Sequence, residues 1–531
     1  MIIGIDLGTT NSLCAVWSDG EARLIPNALG DDLTPSVVGL DDNGDILVGR
    51  AARERLVTHP ELTTSAFKRH MGSDRVTPLG KKDFRAEELS AMVLRALKED
   101  AEKALGCEVT EAVITVPAYF NDAQRKATRN AGEIAGLKVE RLLNEPTAAA
   151  LAYGLHQKDA ETQFLVFDLG GGTFDVSILE LFDGIMEVHA SAGDNFLGGE
   201  DFVTEMVKGF CTEHDINHTK LSSNRQRALR EAAERAKRSL TSNREADMTV
   251  RIDERELSWT LTEASFTTLC EPLLRRLRAP VERALRDADI RARELDAVVL
   301  VGGSTRKPIV QSLVAKMFGQ LPLRHINPDE VVAQGAAVQA GLKARDSALN
   351  EVVLTDVCPY TLGFEVTNQT GENTYQEGIF SPLIERNSVI PSSREDRVVP
   401  ITTQQRKIEV RVFQGESRQV KDNIFLGKVA VPIPNHDGNT DRSIDIRYTY
   451  DINGLLEVQA TVVATQKQHK LIIEQNPGSM SAKEIAQRLE QLAKAARVRG
   501  CGVVVGQTMH LVGPHVDVGL VRVYAEDRSD V

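Results

Sequence analysis

Two short segments of this sequence end β-like runs in nearly the same way, and they constrain the fold more than any other feature. One reads DLGTTN at residues 6–11, and the other reads DLGGGT at residues 168–173, 162 residues further along the chain. A second β-like run follows each segment. We therefore predict that each is the tip of a β-hairpin, unlike the strand-to-helix turn of a dinucleotide-binding unit.

The residue types at these tips predict phosphate binding. Glycine lets successive backbone N–H groups approach a phosphate closely, and threonine hydroxyls add donors. An aspartate closes each strand, Asp6 in the first segment and Asp168 in the second. Two carboxylates that face one space can hold a hydrated Mg²⁺. Either motif alone is compatible with a plain tight turn, whereas the matched pair predicts a clamp for a triphosphate.

A third glycine-containing segment, VGGSTR at residues 301–306, follows a predicted strand and precedes a helical pattern. It matches neither the dinucleotide-binding fingerprint nor the phosphate-binding loop with its conserved lysine. Glycines at this point would let a base or a ribose lie against the backbone, with Arg306 stacked on it. Taken alone, this segment is a weak indication of a nucleoside site.

Composition and charge exclude several classes of protein. The chain carries 63 Lys and Arg against 76 Asp and Glu, a formal charge of −13, whereas nucleic-acid binding needs a basic surface. No run approaches the roughly 18 apolar residues of a membrane span, and the first residues lack the basic segment of a signal peptide. The six cysteines show no metal-ligand or disulfide spacing. We expect a cytoplasmic protein that binds neither nucleic acid nor membrane.

The chain is predicted to have parts with different architectures. Residues 1–345 alternate β-rich runs with helical patterns, which is typical of an α/β layer structure. The predicted strands and helices are Ile2–Asp6, Val113–Val116, Phe164–Asp168 and Ala297–Val301, and Ala86–Ala104, Asp122–Ala135 and Asn224–Leu240. Residues 358–475 alternate β-branched and polar residues between turn signals, which predicts an all-β module.

The remaining segments are a connection and a C-terminal stretch. Residues 346–357 contain a short apolar run flanked by acids, which is either an ordinary β-strand or a linker that docks in one state only. Residues 479–497 combine a capping box, Ser481 with Glu484, with helical spacing of Ile485, Leu489, Leu492 and Ala496. Residues 498–531 have no helical period, and we assign them no fold.

Seven motifs occur in order along the chain: Gly4–Ser12, Val116–Phe120, Asn144–Ala150, Asp168–Asp175, Gly198–Phe202, Val301–Arg306 and Asn327–Glu330. Together they make the sequence similar to the Hsp70 molecular chaperones, a family of the actin and sugar-kinase ATPase superfamily. The resemblance covers about residues 1–497 and is nearest to divergent bacterial DnaK-like members, in particular to the HscC type. It implies a two-lobed actin-like ATPase domain, a β-sandwich peptide-binding domain and a short helical segment.

By position, the resemblance implies roles for individual residues in hydrolysing ATP to ADP with Mg²⁺. Asp6 and Asp168 would organise the metal, and Lys68 would orient the attacking water. The residues with an implied catalytic role are Lys68, Glu145, Asp168, Thr173 and Asp175. Those implied to hold the nucleotide are Gly8, Thr9, Thr10, Asn11, Gly170, Gly171, Gly172, Thr173, Gly198, Gly199, Glu200, Glu234, Lys237, Gly302, Gly303, Ser304, Arg306 and Asp329. From the residues alone, Lys68 would be a solvated lysine, and Glu234 with Lys237 a helical ion pair.

The resemblance also implies a peptide groove and a relay to it. Phe364, Ile401 and Ile408 match groove positions that bind extended apolar segments of unfolded proteins. The relay would contain Pro117, Arg141, Leu354 and Asp356, and a J-domain cochaperone would act on it. On the residues alone, the first three are equally compatible with an ordinary β core, and Pro117 and Arg141 with a turn and a surface charge.

Three departures from the family qualify these expectations. The linker reads VVLT at residues 352–355 instead of a longer leucine run, so docking is expected to be weaker. The stretch Met248–Trp259 is shorter than in DnaK, which makes use of the DnaK-type nucleotide exchange factor doubtful. Residues 498–531 do not resemble the helical bundle of the family lid, so faster peptide exchange is expected, and they are either a genuine tail or a sequence artefact.

Other functions remain compatible with two phosphate-binding hairpins. A small-metabolite kinase of the same superfamily has such hairpins but no use for a β module. An actin-like filament protein would sediment in the presence of ATP. A nucleotide-gated regulatory scaffold would bind one partner tightly instead of many peptides weakly.

Overall fold

The computed structural model describes residues 1–154, 161–252, 255–323, 327–349, 353–371, 374–471, 483–488 and 490. The predicted capping residue Ser481, the apolar residues Leu489, Leu492 and Ala496, and the segment 498–531 lie outside this part of the chain. The elements below are numbered in chain order.

The first lobe is built on a six-stranded sheet with helices packed against it. Its strand order is β11-β10-β1-β2-β3, with β4 paired to β2. The elements are β1 Ile2–Asp6, β2 Asn11–Ser18, β3 Glu21–Ile25, β4 Thr34–Pro35, β5 Val37–Leu40, β6 Ile46–Val48, α1 Arg50–Arg53, β7 Thr63–Ser65, β8 Val76–Leu79, β9 Lys82–Arg85, α2 Ala86–Leu105, β10 Glu111–Val116, α3 Asp122–Ile134, β11 Lys138–Asn144 and α4 Glu145–Gly154.

The second lobe repeats this plan around a five-stranded sheet of order β17-β12-β13-β14-β18, whose last strand belongs to the linker. The elements up to the linker are β12 Thr162–Leu169, β13 Phe174–Phe182, β14 Ile185–Asp194, α5 Gly199–Glu213, α6 Ser223–Ser239, β15 Glu245–Ile252, β16 Arg255–Thr262, α7 Glu263–Asp287, β17 Ala297–Val301, α8 Pro308–Phe318 and α9 Val331–Lys343. Short 3₁₀ helices include Phe67–His70 and Gly303–Arg306.

The two sheets confirm the hairpins predicted from the repeated motifs. β1 pairs with β2, and β12 with β13, antiparallel in both cases, while β1 and β12 also run parallel to β10 and β17. All seven strands and helices predicted from the sequence are present, with ends that differ by at most two residues. Helices α4 and α9 are buried along most of their length and pack together between the sheets. The cleft between the lobes therefore opens where the two hairpin tips meet.

Helix α3 begins with a reciprocal cap that sets its position beside the cleft. The Asn121 side chain accepts a hydrogen bond from Gln124 N–H at 2.9 Å, and the Gln124 side chain accepts one from Asn121 N–H at 2.9 Å. Such pairs satisfy amides that the first helical turn leaves without partners. The cap fixes the segment from Pro117 to Asn121, which links β10 to this helix.

The linker and the β module follow the second lobe. Their elements are β18 Val353–Leu354, β19 Asp356–Val357, β20 Leu362–Gly371, β21 Thr374–Ile384, β22 Val389–Ile390, β23 Ser392–Val398, β24 Lys407–Gln414, β25 Ile424–Pro432, β26 Ile444–Tyr450, β27 Leu456–Val462 and β28 Gln468–Leu471. Two four-stranded sheets, of orders β21-β20-β24-β25 and β23-β26-β27-β28, bury alternate side chains between them. This arrangement confirms the all-β module predicted from the period-two pattern and has the β-sandwich form that the resemblance implies.

The short helical segment at residues 483–488 contacts the first lobe. Ile485 packs against the apolar core of that lobe, and Arg488 forms an ion pair with Glu88 of α2, with a nitrogen–oxygen distance of 3.0 Å. Within the described ranges, no helix combines the length and the apolar character that crossing a membrane requires.

Candidate functional site

A cavity of about 310 Å³ lies between the two lobes, at the meeting point of the hairpin tips. Most of the predicted nucleotide and metal residues line it, although they come from widely separated parts of the chain. These are Asp6, Gly8, Thr9, Thr10, Asn11, Lys68, Glu145, Asp168, Gly170, Gly171, Thr173, Gly199, Glu234, Lys237, Gly302, Gly303, Ser304, Arg306 and Asp329. The volume is within the range of small-molecule sites in proteins.

The two tips approach so closely that only glycine fits at their contact. A Cβ atom built on Gly171 would lie 2.1 Å from the Thr10 hydroxyl oxygen of the other lobe. Behind the second tip, Gly199 N–H donates to the Gly170 carbonyl at 3.0 Å, and the Ser304 hydroxyl donates to the same carbonyl at 2.9 Å. These contacts join three glycine-containing motifs into one wall of the cavity.

Three acidic side chains, Asp6, Glu145 and Asp168, and one lysine form the floor of the cleft, and a fourth acid, Asp175, is buried beside them. Lys68 Nζ donates to Glu145 Oε1 at 2.7 Å, and both side chains are buried. Asp6 accepts a hydrogen bond from the Thr115 hydroxyl at 3.0 Å. Burial, followed by repulsion from Glu145, raises the pKa of Asp6 to about 7 and that of Asp175 to about 8, and raises the pKa of Asp168 well above its usual value. One lysine does not balance this negative charge, so the site favours a cation.

The donor set fits a hydrated Mg²⁺ bound together with phosphates. The Asp168 Oδ2 atom is buried and has no hydrogen-bond partner, which is costly unless a ligand satisfies it. In the part of the chain that the structure describes, no group of three or more His, Cys, Asp or Glu side chains is arranged to hold a metal ion by itself. Mg²⁺ usually keeps several waters and takes only one or two carboxylates with substrate phosphates, so the two findings agree.

The other end of the cavity carries the side chains predicted to contact a nucleoside. Lys237 Nζ lies 2.6 Å from a Glu234 carboxylate oxygen and donates to the Gly199 carbonyl at 3.0 Å. Arg306 Nε donates to Asp329 Oδ2 at 2.7 Å. Gly302 has a φ of 81°, and a Cβ there would lie 2.5 Å from the Leu169 carbonyl oxygen, so a side chain is excluded. This end presents flat backbone together with a guanidinium group.

The residues of the cavity wall that the sequence analysis missed include Lys307 and Thr241. Lys307 is buried and donates to the Lys237 carbonyl at 2.7 Å and to the Thr241 hydroxyl, and both Lys307 and Thr241 line the cavity. Burial, with repulsion from Lys237, lowers the pKa of Lys307 to about 8. Its position directly after Arg306 was the available signal, but a lysine beside a turn usually points into solvent.

Four predicted site residues are absent from the cavity lining, which consists of described residues only. Gly172 packs against Arg69, whose guanidinium bonds both Asp201 carboxylate oxygens, at 3.1 and 3.2 Å. Arg69 was also missed, although it follows Lys68 in the sequence. The other three, which support the tips from behind, are Gly198, Glu200 and Asp175.

The predicted relay residues lie where the ATPase lobes meet the β module. In the linker, Leu354 pairs with Met186 of β14 and is half-buried, while Val353 is 53% exposed. Asp356 Oδ2 accepts hydrogen bonds from Asn144 at 2.8 Å and from Thr147 at 3.0 Å. The linker is therefore an edge strand that is docked in this structure, and its release in another state stays a prediction.

The other two relay residues occupy the same region. The Arg141 guanidinium donates to Gln339 Oε1 of α9 at 2.7 Å, and the pKa of Arg141 is lowered by burial, with the Asp356 charge opposing this. The Pro117 carbonyl accepts the Phe120 N–H at 3.1 Å and so begins the turn that leads to α3.

The β module contacts the lobes at further points that no motif marked. Leu142 N–H donates to the Asn453 side-chain oxygen at 3.0 Å, and Leu456 N–H donates to Asp122 at 3.1 Å. Arg386 Nη2 donates to Asp287 at 2.8 Å. The module is thus docked on both lobes through a mixture of backbone and side-chain hydrogen bonds.

The three predicted peptide-binding residues do not share one environment. Phe364 is 1% exposed and Ile408 is 8% exposed, and both pack in the core between the two sheets of the sandwich. Ile401 is 48% exposed, in the loop between β23 and β24. In this docked arrangement only Ile401 is available to a ligand, and the groove assignment stays a prediction.

Two comparisons with known proteins agree with this geometry. The sequence model of a family described as "Hsp70 protein" matches residues 2–499. A protein named "Chaperone protein DnaK" from Thermotoga neapolitana is 42% identical over 490 residues, which cover 89% of this chain and 80% of the relative. Neither comparison supports the kinase alternative or tests the narrower assignment to the HscC type.

Proposed function

This chain belongs to the Hsp70 family and is therefore a chaperone of that type and an ATPase, and we propose that the cleft between its lobes hydrolyses Mg²⁺-ATP to control peptide binding. The observation that carries this proposal is the pair of glycine-lined tips facing one cavity, with a buried and unpartnered Asp168 oxygen between them. In this proposal residues 1–345 are the ATPase domain, 346–357 the linker and 358–475 the peptide-binding domain, and most of the lid-type helix expected at 479–497 lies outside the described residues.

The assigned roles follow from which groups face the cavity. The hydroxyls and backbone N–H groups of Thr9, Thr10 and Thr173 hold the phosphates, and Asp6 and Asp168 hold the metal with its waters. The metal, when bound, neutralises charge that develops on the phosphate oxygens. Lys68, held in place by Glu145, orients the water that attacks the terminal phosphate. Phosphoryl transfer depends mainly on positioning the reacting groups and on neutralising the charge of the phosphates, and these side chains can do both.

Coupling to the β module is supported by the docked linker. Asp356 connects the linker to Asn144 and Thr147, and Asn144 directly precedes the cleft residue Glu145. A change in the cleft that moves α4 therefore also moves Asn144 and Thr147, the two residues that donate hydrogen bonds to Asp356 of the linker. Allosteric coupling is typically worth 1–3 kcal/mol and acts equally in both directions. ATP binding thus favours the docked module, and hydrolysis releases it.

The β module binds extended apolar segments of unfolded polypeptides along Phe364, Ile401 and Ile408. Backbone hydrogen bonds give such sites an affinity that tolerates many sequences, and apolar pockets select the side chains. A J-domain cochaperone in the cytoplasm would stimulate hydrolysis. The stretch Met248–Trp259, which the sequence analysis found shorter than in DnaK, lies in the hairpin β15–β16, and on that ground use of the DnaK-type exchange factor is doubtful.

The deciding experiment titrates a fluorescent apolar peptide with ATP, with ADP and without nucleotide. We expect at least about fivefold weaker peptide binding with ATP than with ADP. Ile401→Asp should weaken binding in all three conditions, and Val76→Asp, on an exposed residue of the first lobe, should not. Equal affinities in all three nucleotide conditions would contradict the coupling, and a peptide affinity untouched by Ile401→Asp would contradict the groove.

A further inference from the structure

The backbone around Lys307 holds its side chain at the cleft. Lys307 stands between the 3₁₀ helix Gly303–Arg306 and α8, and its N–H donates to the Ser304 carbonyl at 3.3 Å. Its own carbonyl accepts the N–H groups of Val310 and Gln311, both at 3.0 Å. Because hydrogen bonds on both sides fix the backbone, the direction in which the side chain leaves it is fixed as well. The side chain is only 7% exposed and lines the cavity.

The Lys307 ammonium lies at the C-terminal end of α6, where it has one donor more than it uses. It donates to the Lys237 carbonyl at 2.7 Å and to the Thr241 hydroxyl. Carbonyls at the end of a helix carry partial negative charge and attract a cation. A lysine ammonium has three N–H donors and no acceptor, so these two bonds leave one donor for a ligand. The Thr241 oxygen accepts from Lys307, so its own proton is also available to a ligand in the cavity.

The charge of Lys307 is not balanced by an acid in the way that its neighbours' charges are. Lys237 and Arg238 each have a nitrogen 2.6 Å from a Glu234 carboxylate oxygen. In the ranges that the structure describes, no carboxylate forms an ion pair with Lys307. Burial, with repulsion from Lys237, lowers the pKa of Lys307. A buried charge with an unused donor is costly, so an acceptor atom on a ligand would stabilise it.

The part of the ligand that reaches this end is the nucleoside of the proposed nucleotide, because the phosphates bind at the hairpin tips. An adenine base has ring nitrogens that accept hydrogen bonds and an amino group that donates them. Lys307 and Thr241 both present donors. This pair therefore matches the ring nitrogens of the base and not its amino group.

We propose that Lys307 is a specificity-determining residue that donates a hydrogen bond to a ring nitrogen of the adenine base, with Thr241 as a second donor beside it. This inference rests on the proposed Mg²⁺-ATP site and deepens it, because it names a group that recognises the base. A lysine that only tied α6 to α8 would be indifferent to the atoms of the base, and the test uses this distinction.

The test compares ATP with three analogues that each lack one ring nitrogen, namely 1-deaza-ATP, 3-deaza-ATP and 7-deaza-ATP. Isothermal titration calorimetry measures their affinities for the full wild-type chain in the presence of Mg²⁺. We expect one of the three to bind about tenfold more weakly than ATP, since a hydrogen bond from a charged donor is lost. The other two analogues should bind within about threefold of ATP.

Lys307→Met identifies the group that reads this nitrogen. The variant should fold, because it removes a buried charge without an acidic partner, and urea unfolding checks this. It should bind ATP about tenfold more weakly than wild type does, and the analogue that wild type disfavours should now bind within about twofold of ATP. Lys307→Gln keeps a donor without the charge and should retain about two- to fivefold discrimination. Lys316→Met, on an exposed residue of α8, should show the wild-type pattern with all four nucleotides.

Each outcome supports the inference or overturns it. If all three analogues bind wild type as tightly as ATP does, no ring nitrogen is bonded and the inference fails without any variant being needed. If an analogue is disfavoured equally by wild type, Lys307→Met and Lys307→Gln, another group bonds that nitrogen, and the inference fails as well. Failure of ATP itself to bind the wild-type chain would instead contradict the proposed nucleotide site.

Discussion

The nucleotide cleft and the interface with the β module are both assembled from distant parts of the chain, but their polar groups are satisfied differently. In the cleft, the buried Asp168 carboxylate has one oxygen without a partner, and its pKa is raised by burial and by neighbouring acids. At the interface, buried Asp356 accepts hydrogen bonds from Asn144, from Thr147 and from the Val357 N–H.

This difference distinguishes a site whose polar groups need a ligand from a contact whose carboxylate is already fully hydrogen-bonded within the protein. A buried charge without a partner is stable only where a bound cation or another ligand offsets the free-energy cost of its desolvation. A fully bonded carboxylate instead stabilises one arrangement of two parts of the chain, and breaking it leaves groups unpaired. We therefore expect variants in the cleft to alter chemistry, and variants at the interface to alter communication.

The largest effect should come from Asp168→Asn. The amide keeps the size of the side chain but removes the negative charge that the metal requires, so the single-turnover rate of ATP hydrolysis should fall at least about 100-fold. Peptide binding without nucleotide should be unchanged, because Asp168 lines the nucleotide cavity and is no part of the predicted groove. Rapid-quench measurement of released phosphate, beside fluorescence measurement of peptide affinity, checks both expectations.

The matched control is Asp289→Asn, an exposed residue with a φ of 54°, a conformation that asparagine adopts readily. Its hydrolysis rate should equal that of wild type. Near-normal turnover in Asp168→Asn would remove this residue from the metal site and would leave the unpartnered oxygen without an explanation.

An intermediate effect is expected for Lys307→Met at the nucleoside end of the cleft. The charged lysine is buried beside Lys237, so methionine should stabilise the folded protein by about 1–3 kcal/mol at pH 7. The pKa of Lys307 is about 8 when folded and 10.5 when unfolded, so the unfolded chain binds more protons between these values. Wild-type stability therefore rises from about pH 8 to pH 10.5, and the advantage of methionine shrinks.

Urea unfolding of both proteins at pH 7 and pH 10 measures this effect. Lys316→Met, an exposed residue of α8, controls for the loss of a surface lysine and should change stability by less than about 0.5 kcal/mol at either pH. If Lys307→Met were less stable than wild type at pH 7, the bonds of Lys307 to the Lys237 carbonyl and to Thr241 would outweigh its desolvation.

The smallest effect should come from Asp356→Asn at the interface. The amide NH₂ group would face at least one of the three donors that now bond the carboxylate, so the docked linker becomes less favourable. We expect the ratio of peptide affinities with ADP and ATP to fall by about fivefold, with the hydrolysis rate changed less than in Asp168→Asn. Asp396→Asn, on an exposed residue of β23, should leave that ratio unchanged. An unaltered ratio in Asp356→Asn would show that the linker contact does not transmit the nucleotide state.

Much of the fold and most of the cleft were predictable from the sequence. The strands β1, β10, β12 and β17 are short apolar runs that end at an aspartate, before a proline or before a glycine, and this local pattern marked their C-terminal ends to within one residue. The two hairpin motifs also predicted that Asp6 and Asp168 face one cavity. This was possible because each motif contains both the turn residues and the groups that would bind a ligand, so the local sequence and the tertiary position of these aspartates agree.

The environment of other residues could not be predicted in the same way. Phe364 and Ile408 look alike whether they line a groove or fill a core, because an alternating strand buries one face in either case. Lys307 and Tyr119 read as surface residues until α6 and the β module are packed against them. Backbone amides such as the N–H of Leu142, which bonds Asn453, leave no mark in the sequence at all.

The amino-acid sequence by itself determined that two acid-ended, glycine-lined hairpins exist and that a period-two β module follows them, since turn chemistry and alternation act over a few neighbouring residues. Only the tertiary structure decided that the linker lies as an edge strand on β14, that the Tyr119 N–H bonds Asp175, and that the Tyr360 hydroxyl bonds the Tyr119 carbonyl. Those facts depend on groups more than fifty residues apart meeting in space, and no local interaction encodes such a meeting.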